Sequence, residues 1–266
     1  MKIPFIKMHG TGNDFIVIDN RPHYIQKYLD NQQLISFLCN RHLGIGADGL
    51  ILLNTKVGYP FEMVYFNSDG RLGTMCGNGG RCAVAAAHQL NMIQNKALFF
   101  ANGTEYTAQI IKKRHPEVYV KLKMNDVLQY RKENSYFFLD TGSPHHVEFV
   151  EDVQNLNIVE EARKIRYSTP YKEAGVNVNF VEKHSDYLFV RTYERGVEDE
   201  TLSCGTGVVA SAISVCLSEN ALRTNGYHIK TKGGELKVLL SYNNNRFYNI
   251  YLEGPATFVF ESHIDI

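Results

Sequence analysis

Thr74-Met75-Cys76-Gly77-Asn78-Gly79-Gly80-Arg81-Cys82 places two cysteines around a glycine-rich turn, and Cys204-Gly205-Thr206-Gly207 repeats the turn 128 residues later. Residues 81 to about 90 and 208 to about 217 follow these turns and read as helix. Their small residues, Ala83, Ala85, Ala86 and Ala87 in one and Ala210, Ser211, Ala212 and Ser214 in the other, suit helices closely enclosed by strands. Two further echoes keep the same order. Leu43 through Ile51 and Ala174 through Val181 are glycine-led entries to apolar strands, offset by about 131 residues. Asn102-Gly103-Thr104-Glu105-Tyr106 answers Lys232-Gly233-Gly234-Glu235-Leu236 at about 130. Three echoes at nearly constant spacing, in a chain of 266 residues, indicate an internal duplication. Alternating or apolar runs at 15–18, 117–123 and 187–191 read as strands. The expected class is therefore α+β, with two similar halves and one central helix in each. The halves are expected at 1–126 and 127–257, with a C-terminal strand near 258–266 assigned to the first.

Composition narrows the chemistry. Lys plus Arg equals Asp plus Glu at 28 each, so no basic surplus argues for nucleic acid or an anionic membrane as partner. No apolar run approaches the roughly 18 residues of a spanning helix, and the N-terminus lacks a signal-peptide core, so a cytoplasmic location is expected. Five cysteines, at 39, 76, 82, 204 and 216, form no close CxxC pair, which argues against a disulfide framework or a four-thiolate zinc site.

A cysteine ahead of Gly-x-Gly and a helix lies beside backbone N–H groups that have no helical acceptor. Those donors and the positive helix end stabilise an anion, either the thiolate or a bound carboxylate. Two such turns in duplicated halves suit removal of a proton from one face of a carbon and its return on the other, with one thiolate and one thiol. The α-carbanion would be stabilised by the two helix starts. No GxGxxG follows a strand, no Walker lysine is present, and nothing marks a pyridoxal lysine. Racemisation without a cofactor or metal is the chemistry this arrangement supports best.

Five stretches together closely resemble the diaminopimelate epimerase family. They are His9-Gly10-Thr11-Gly12-Asn13-Asp14-Phe15, Asn67-Ser68-Asp69-Gly70, Cys76 through Cys82, Tyr193-Glu194-Arg195-Gly196 and Cys204-Gly205-Thr206-Gly207. The resemblance runs from residue 9 to about 254. It implies conversion of LL-2,6-diaminopimelate to the meso isomer, on the route to lysine and peptidoglycan. It also implies two pseudo-symmetric domains, each a mostly antiparallel strand barrel around a central helix, and a homodimer. By position it makes Cys76 and Cys204 the acid/base thiols, with Gly77, Asn78, Gly205 and Thr206 cradling the reacting carboxylate. Asn13, Asn67, Asn177, Glu194 and Arg195 would read the remaining amino and carboxylate groups, as amide, carboxylate and guanidinium chemistry allows. His145 and Glu194 fall where the family places groups that tune the thiols.

The chain departs from the family pattern at three places. Gly49 stands where relatives carry Gln, Ser143 where they carry Asn, and the stretch 195–201 is one residue longer and more acidic. Carboxylates near Cys204 would raise its pKa, so the side chains of Glu198, Asp199 and Glu200 are expected to point away, in a solvated loop or helix-start cluster. Cys39, Cys82 and Cys216 read as core packing, and His9, His88 and His146 as structural or solvated. His145, beside a proline, is open between backbone bonding and thiol tuning. Asn13 and Asn67 would be turn residues outside their motif. The rival readings are a proline or hydroxyproline racemase, a phenazine-biosynthesis-like isomerase, and a thiol redox or metal protein using Cys76 and Cys82. The first expects His where Asn78 stands, the second lacks both thiols, and the third lacks a cysteine–histidine cluster.

Overall fold

The computed structural model describes residues 2–25 and 31–265. The chain divides into two compact units, Met1–Leu122 with Gly254–Ile266, and Lys123–Glu253.

In the first unit the strands are β1 (Lys2–Gly10), β2 (Asn13–Asp19), β3 (Gly49–Lys56), β4 (Tyr59–Asn67), β5 (Lys96–Ala101), β6 (Thr104–Arg114), β7 (Glu117–Lys123) and residues 254–265 of β16 (Arg246–Asp265). Each pairs with the next, and β16 pairs with both β7 and β1, so the ring closes. The β2–β3 and β4–β5 pairs are parallel, and the others are antiparallel. Parallel neighbours need a crossover. The first carries α1 (Gln32–Cys39) and the second carries α2 (Gly77–Gln89). Helix α2 packs on β1, β2, β3, β4 and β6, the position of a central helix. Ile16, Ile18, Leu50 and Leu52 pack with Ile35, Leu38 and Cys39 of α1, while Ile51 approaches Gly79 of α2. Burial on both faces explains why β2 and β3 read as unbroken apolar runs.

The second unit repeats the plan. Its strands are β8 (Tyr130–Lys132), β9 (Tyr136–Asp140), β10 (Pro144–Phe149), β11 (Asn177–Lys183), β12 (Leu188–Glu194), β13 (Asp199–Thr201), β14 (Tyr227–Thr231), β15 (Gly234–Asn243) and the first part of β16. Here β10–β11 and β12–β14 are the parallel pairs, with crossovers carrying α3 (Ile158–Arg166) and α4 (Gly205–Glu219). Val127 and Phe247 exchange both backbone hydrogen bonds at 2.9 Å, bringing the start of the unit to β16. Helix α4 packs on β9, β10, β11, β12 and β15, and α3 lies against β11, β12 and β13.

Phe15 pairs with Gly49 at the start of β3, and His145 pairs with Asn177 at the start of β11, so Gly49 and Asn177 open their strands 128 residues apart. Both central helices begin earlier than the alanine-rich runs suggest. Their first turns are the glycines themselves, because small residues let the chain turn helical directly behind each cysteine. Among the described residues no helix is long and apolar enough to cross a membrane.

Candidate active site

Cys76 is the N-cap of α2, with extended backbone, and its Sγ accepts from the Gly79 N–H at 3.5 Å. A sulfur acceptor at this position satisfies one of the donors a helix start leaves open. Asn13, at the start of β2, points its Oδ1 at this turn, 3.6 Å from Cys76 Sγ and 3.2 Å from Asn78 Nδ2. Its own Nδ2 donates to Asp48 at 2.8 Å, so the amide is oriented from both ends. Asp48 in turn takes Arg41, which also pairs with Asp14 at 2.7 Å. Burial pushes the Asp14 carboxyl up, but hydrogen bonds from Arg41 and Lys7 overcome it and hold it down at about 2.

Arg81 lies one turn into α2 and is fully buried. Its acceptors are all neutral: Asn78 Oδ1 at 3.0 Å, Thr11 Oγ1, the Gly77 carbonyl and the Pro255 carbonyl. Burial lowers it to about 10, with the neighbouring Cys82 and Cys76 acting in the opposite direction. The motif contains this arginine, but nothing in its spacing marks a buried cation that orients Asn78. Burial pushes Cys82 up to about 12, so it stays a thiol in the core.

Asn67 is exposed at the end of β4, opposite Gly49. A Cβ at Gly49 would lie 2.4 Å from Tyr65 Cε2 and 2.6 Å from the Phe66 carbonyl oxygen. The Tyr65 ring, edge-on to Phe15, therefore fills the space that a side chain at 49 would need. The glycine and the tyrosine are one packing solution.

In the second unit Cys204 is the buried N-cap of α4, 3.4 Å from Thr206 Oγ1. His145, on β10, is fully buried and reaches the same hydroxyl through Nε2 at 3.0 Å. Burial drives its pKa down to about 3, and the Arg195 charge lowers it further. His145 is thus a neutral imidazole whose Nε2 lies against the Thr206 hydroxyl of the Cys204 turn. Thr141 Oγ1 donates to the Thr206 carbonyl at 2.9 Å. Asn177 Oδ1 accepts from the Arg195 N–H at 2.8 Å, and the Arg195 side chain is exposed and bonded to the Ala174 carbonyl. Glu194 accepts from Thr201 Oγ1 at 3.0 Å. Ser143 is half-exposed in the turn before β10, where its carbonyl accepts from the Thr141 N–H.

The acidic stretch is not the solvated loop expected. Glu198 accepts from Arg166 at 3.0 Å and from the Tyr167 and Tyr193 hydroxyls at 3.1 Å. Glu200 is held by Arg191 at 2.6 and 2.8 Å and by Lys232 at 2.8 Å. These carboxylates are neutralised by their own cations rather than left to water.

Asn179 carries no motif, yet it sits beneath the α4 start. A Cβ at Gly207 would fall 2.3 Å from Asn179 Oδ1. Gly207→Ala is therefore expected to cost about 1–3 kcal/mol through forced displacement, read as a lower denaturant midpoint with unchanged slope.

His146 stacks on Tyr136 and bonds Tyr171 and Glu148, and His9 accepts from the Gly12 N–H, so both are structural. His88 meets Ile93 and Lys113 away from the turn. Among the described residues no three His, Cys, Asp or Glu side chains are placed to hold a metal ion.

Two strand layers, each packed around a helix whose N-cap residue is a cysteine, define a fold shared with several solved structures. The Bacillus anthracis phenazine biosynthesis protein of the PhzF family matches with a TM-score of 0.72 at 12% identity, covering 100% of both chains. A hydroxyproline epimerase from Agrobacterium vitis matches at 0.71 and 14% identity, covering 99% of this chain and 92% of that one. Sequence comparison is more specific. The diaminopimelate epimerase family model matches residues 5–127 and again 137–259. The diaminopimelate epimerase of Flavobacterium psychrophilum is 49% identical over 97% of this chain and 98% of its own. That of Chlorobaculum tepidum is 42% identical over 97% and 100%. The chain belongs to the diaminopimelate epimerase family.

Proposed function

We propose that this protein is an isomerase that inverts one α-carbon of LL-2,6-diaminopimelate to give the meso isomer, using two thiols and no cofactor. The observation that carries the reading is the pair of cysteine N-caps, Cys76 on α2 and Cys204 on α4, each starting the central helix of its unit. One sulfur, as thiolate, takes the α-proton, and the other, as thiol, protonates the opposite face. The reverse reaction exchanges the roles. Backbone N–H groups at Gly77, Asn78, Gly205 and Thr206 would receive the reacting carboxylate, where helix dipoles favour negative charge. Arg195 would take the distal carboxylate, and Asn13, Asn67, Asn177 and Glu194 the remaining polar groups. His145 and Glu194 would act on the Cys204 side. The product would serve lysine and peptidoglycan precursor synthesis, in the cytoplasm, by a homodimer.

Incubation with LL-diaminopimelate in heavy water tests the reading. Deuterium should enter the α-position as the meso form appears, without added metal or cofactor. Proline and hydroxyproline, incubated in parallel, should exchange nothing. Exchange at either of them but not at diaminopimelate would overturn the substrate assignment.

A further inference from the structure

Asn179 lies on β11 and is fully buried. Its amide can face only one way. The His146 carbonyl, 3.0 Å from Nδ2, can only accept, so the nitrogen must face it, and Oδ1 then accepts from Thr192 Oγ1 at 2.9 Å. The same Nδ2 lies 3.0 Å from His145 Nδ1. An N–H aimed at that ring nitrogen requires a lone pair there, so a neutral His145 carries its proton on Nε2. Asn177 Nδ2 lies 3.4 Å from Nε2 and would favour the other tautomer. That tautomer sets two N–H groups against each other at 3.0 Å on the Nδ1 side, and the shorter contact decides.

With the proton on Nε2, the ring donates to Thr206 Oγ1 at 3.0 Å. The hydroxyl, occupied as an acceptor, is free to turn its own hydrogen to Cys204 Sγ at 3.4 Å. We propose, resting on the two-thiol reading above, that Asn179 is a positioning residue: it fixes the His145 tautomer so that Thr206 donates to the Cys204 sulfur and favours the thiolate there. A donor aimed at sulfur stabilises its anion. The first unit is arranged otherwise. Asn78 holds the position equivalent to Thr206 and donates to Asn13 Oδ1, which stands as an acceptor 3.6 Å from Cys76 Sγ.

The relay is surrounded mainly by neutral groups: Asn177 and Asn179 on β11, Thr192 on β12 and Thr141 before β10. The charged groups near it are Arg195, whose charge acts on His145, and Glu194, which accepts from Thr201. On α4 itself Cys216, facing Tyr227 of β14, is raised by burial and stays a thiol.

Nitrogen NMR of the full chain labelled at histidine reads the tautomer directly, with His145→Gln assigning the signal. A bare Nδ1 and a protonated Nε2 are expected at pH 7, and the reverse pattern overturns the proposal. Asn179→Asp should move the proton to Nδ1, and a wild-type pattern in that variant also overturns it. Alkylation of Cys204 by iodoacetamide against pH, followed on its peptide by mass spectrometry, tests the last link. Thr206→Val should raise the midpoint by about 1 pH unit or more, the size of a hydrogen bond to a charged group. Thr206→Ser should restore it and Cys76 should not move. An unmoved Cys204 midpoint in Thr206→Val refutes the relay. None of these readouts needs the substrate, so they fail or hold separately from the epimerase assignment.

Discussion

Cys76→Ala and Cys204→Ala are each expected to lose epimerisation by roughly 10²- to 10⁴-fold, the range contributed by a positioned acid or base. The two losses should not add, because inversion needs both a base and an acid and either variant lacks one of them. The variants should still fold. Each sulfur sits at an N-cap, where extended backbone is compatible with alanine, and the helix behind it is held by the strands around it. For Cys76 the lost contact to the Gly79 N–H should cost about 0.5–2 kcal/mol, the usual range for losing a cap. Cys82→Ala is the control. That side chain is fully buried within α2, its thiol stays protonated, and the variant should keep most of the activity. The measurement is proton NMR in heavy water, which reports exchange and appearance of the meso form together. Full inversion by Cys204→Ala would refute the two-thiol mechanism.

The parts of this site legible in sequence are those where one local motif fixes backbone and chemistry together. Cys-Gly-x-Gly ahead of small residues states both a helix start and an exposed row of N–H donors, and its repetition states the duplication. Strand registers are less legible, because they pair residues far apart in sequence, Phe15 with Gly49 and His145 with Asn177. Helix α3 carries a readable signal, with Ile158, Ala162 and Ile165 on one face after Asn157. The remaining features depend on contacts distant in sequence. Arg81 is buried because Thr11, Asn78 and Pro255 converge on it. Asn179 matters because Thr192 and the histidine pair of β10 orient it. Gly49 looks like a missing ligand until Tyr65 is seen to fill its place. The acidic stretch at 198–200 looks solvated until Arg166, Arg191 and Lys232 arrive from elsewhere in the unit.

Acid should destabilise the second unit through His145, beginning well before the ring itself titrates in the folded protein. Unfolded, the imidazole binds a proton at its ordinary value of 6.5; folded, burial holds it down to about 3. Between those values the unfolded chain carries the extra proton, so stability rises with pH across the window and is fully present above 6.5. Going downward, it falls progressively below pH 6.5 and the loss is complete near 3. At about 1.4 kcal/mol per pH decade, the loss is on the order of 4 to 5 kcal/mol, a large share of a typical domain's stability. Asp14 acts with the same sign in the first unit but lower, since its carboxyl is held at about 2 and loses its contribution only below pH 4. The two effects are therefore separable by pH. Urea denaturation from pH 7.5 to 4.5 should show a falling midpoint in the wild type. His145→Gln removes the titrating group but not the burial, so it should lower stability at pH 7.5 by about 1–3 kcal/mol through imperfect bonding to Asn179 and Thr206. It should then show a much flatter profile down to pH 4.5. If the two proteins fall in parallel, His145 is not the group that acid attacks. The same low value means His145 remains neutral in the folded protein at pH 5 to 7. Any loss of activity in that range must come from groups other than His145.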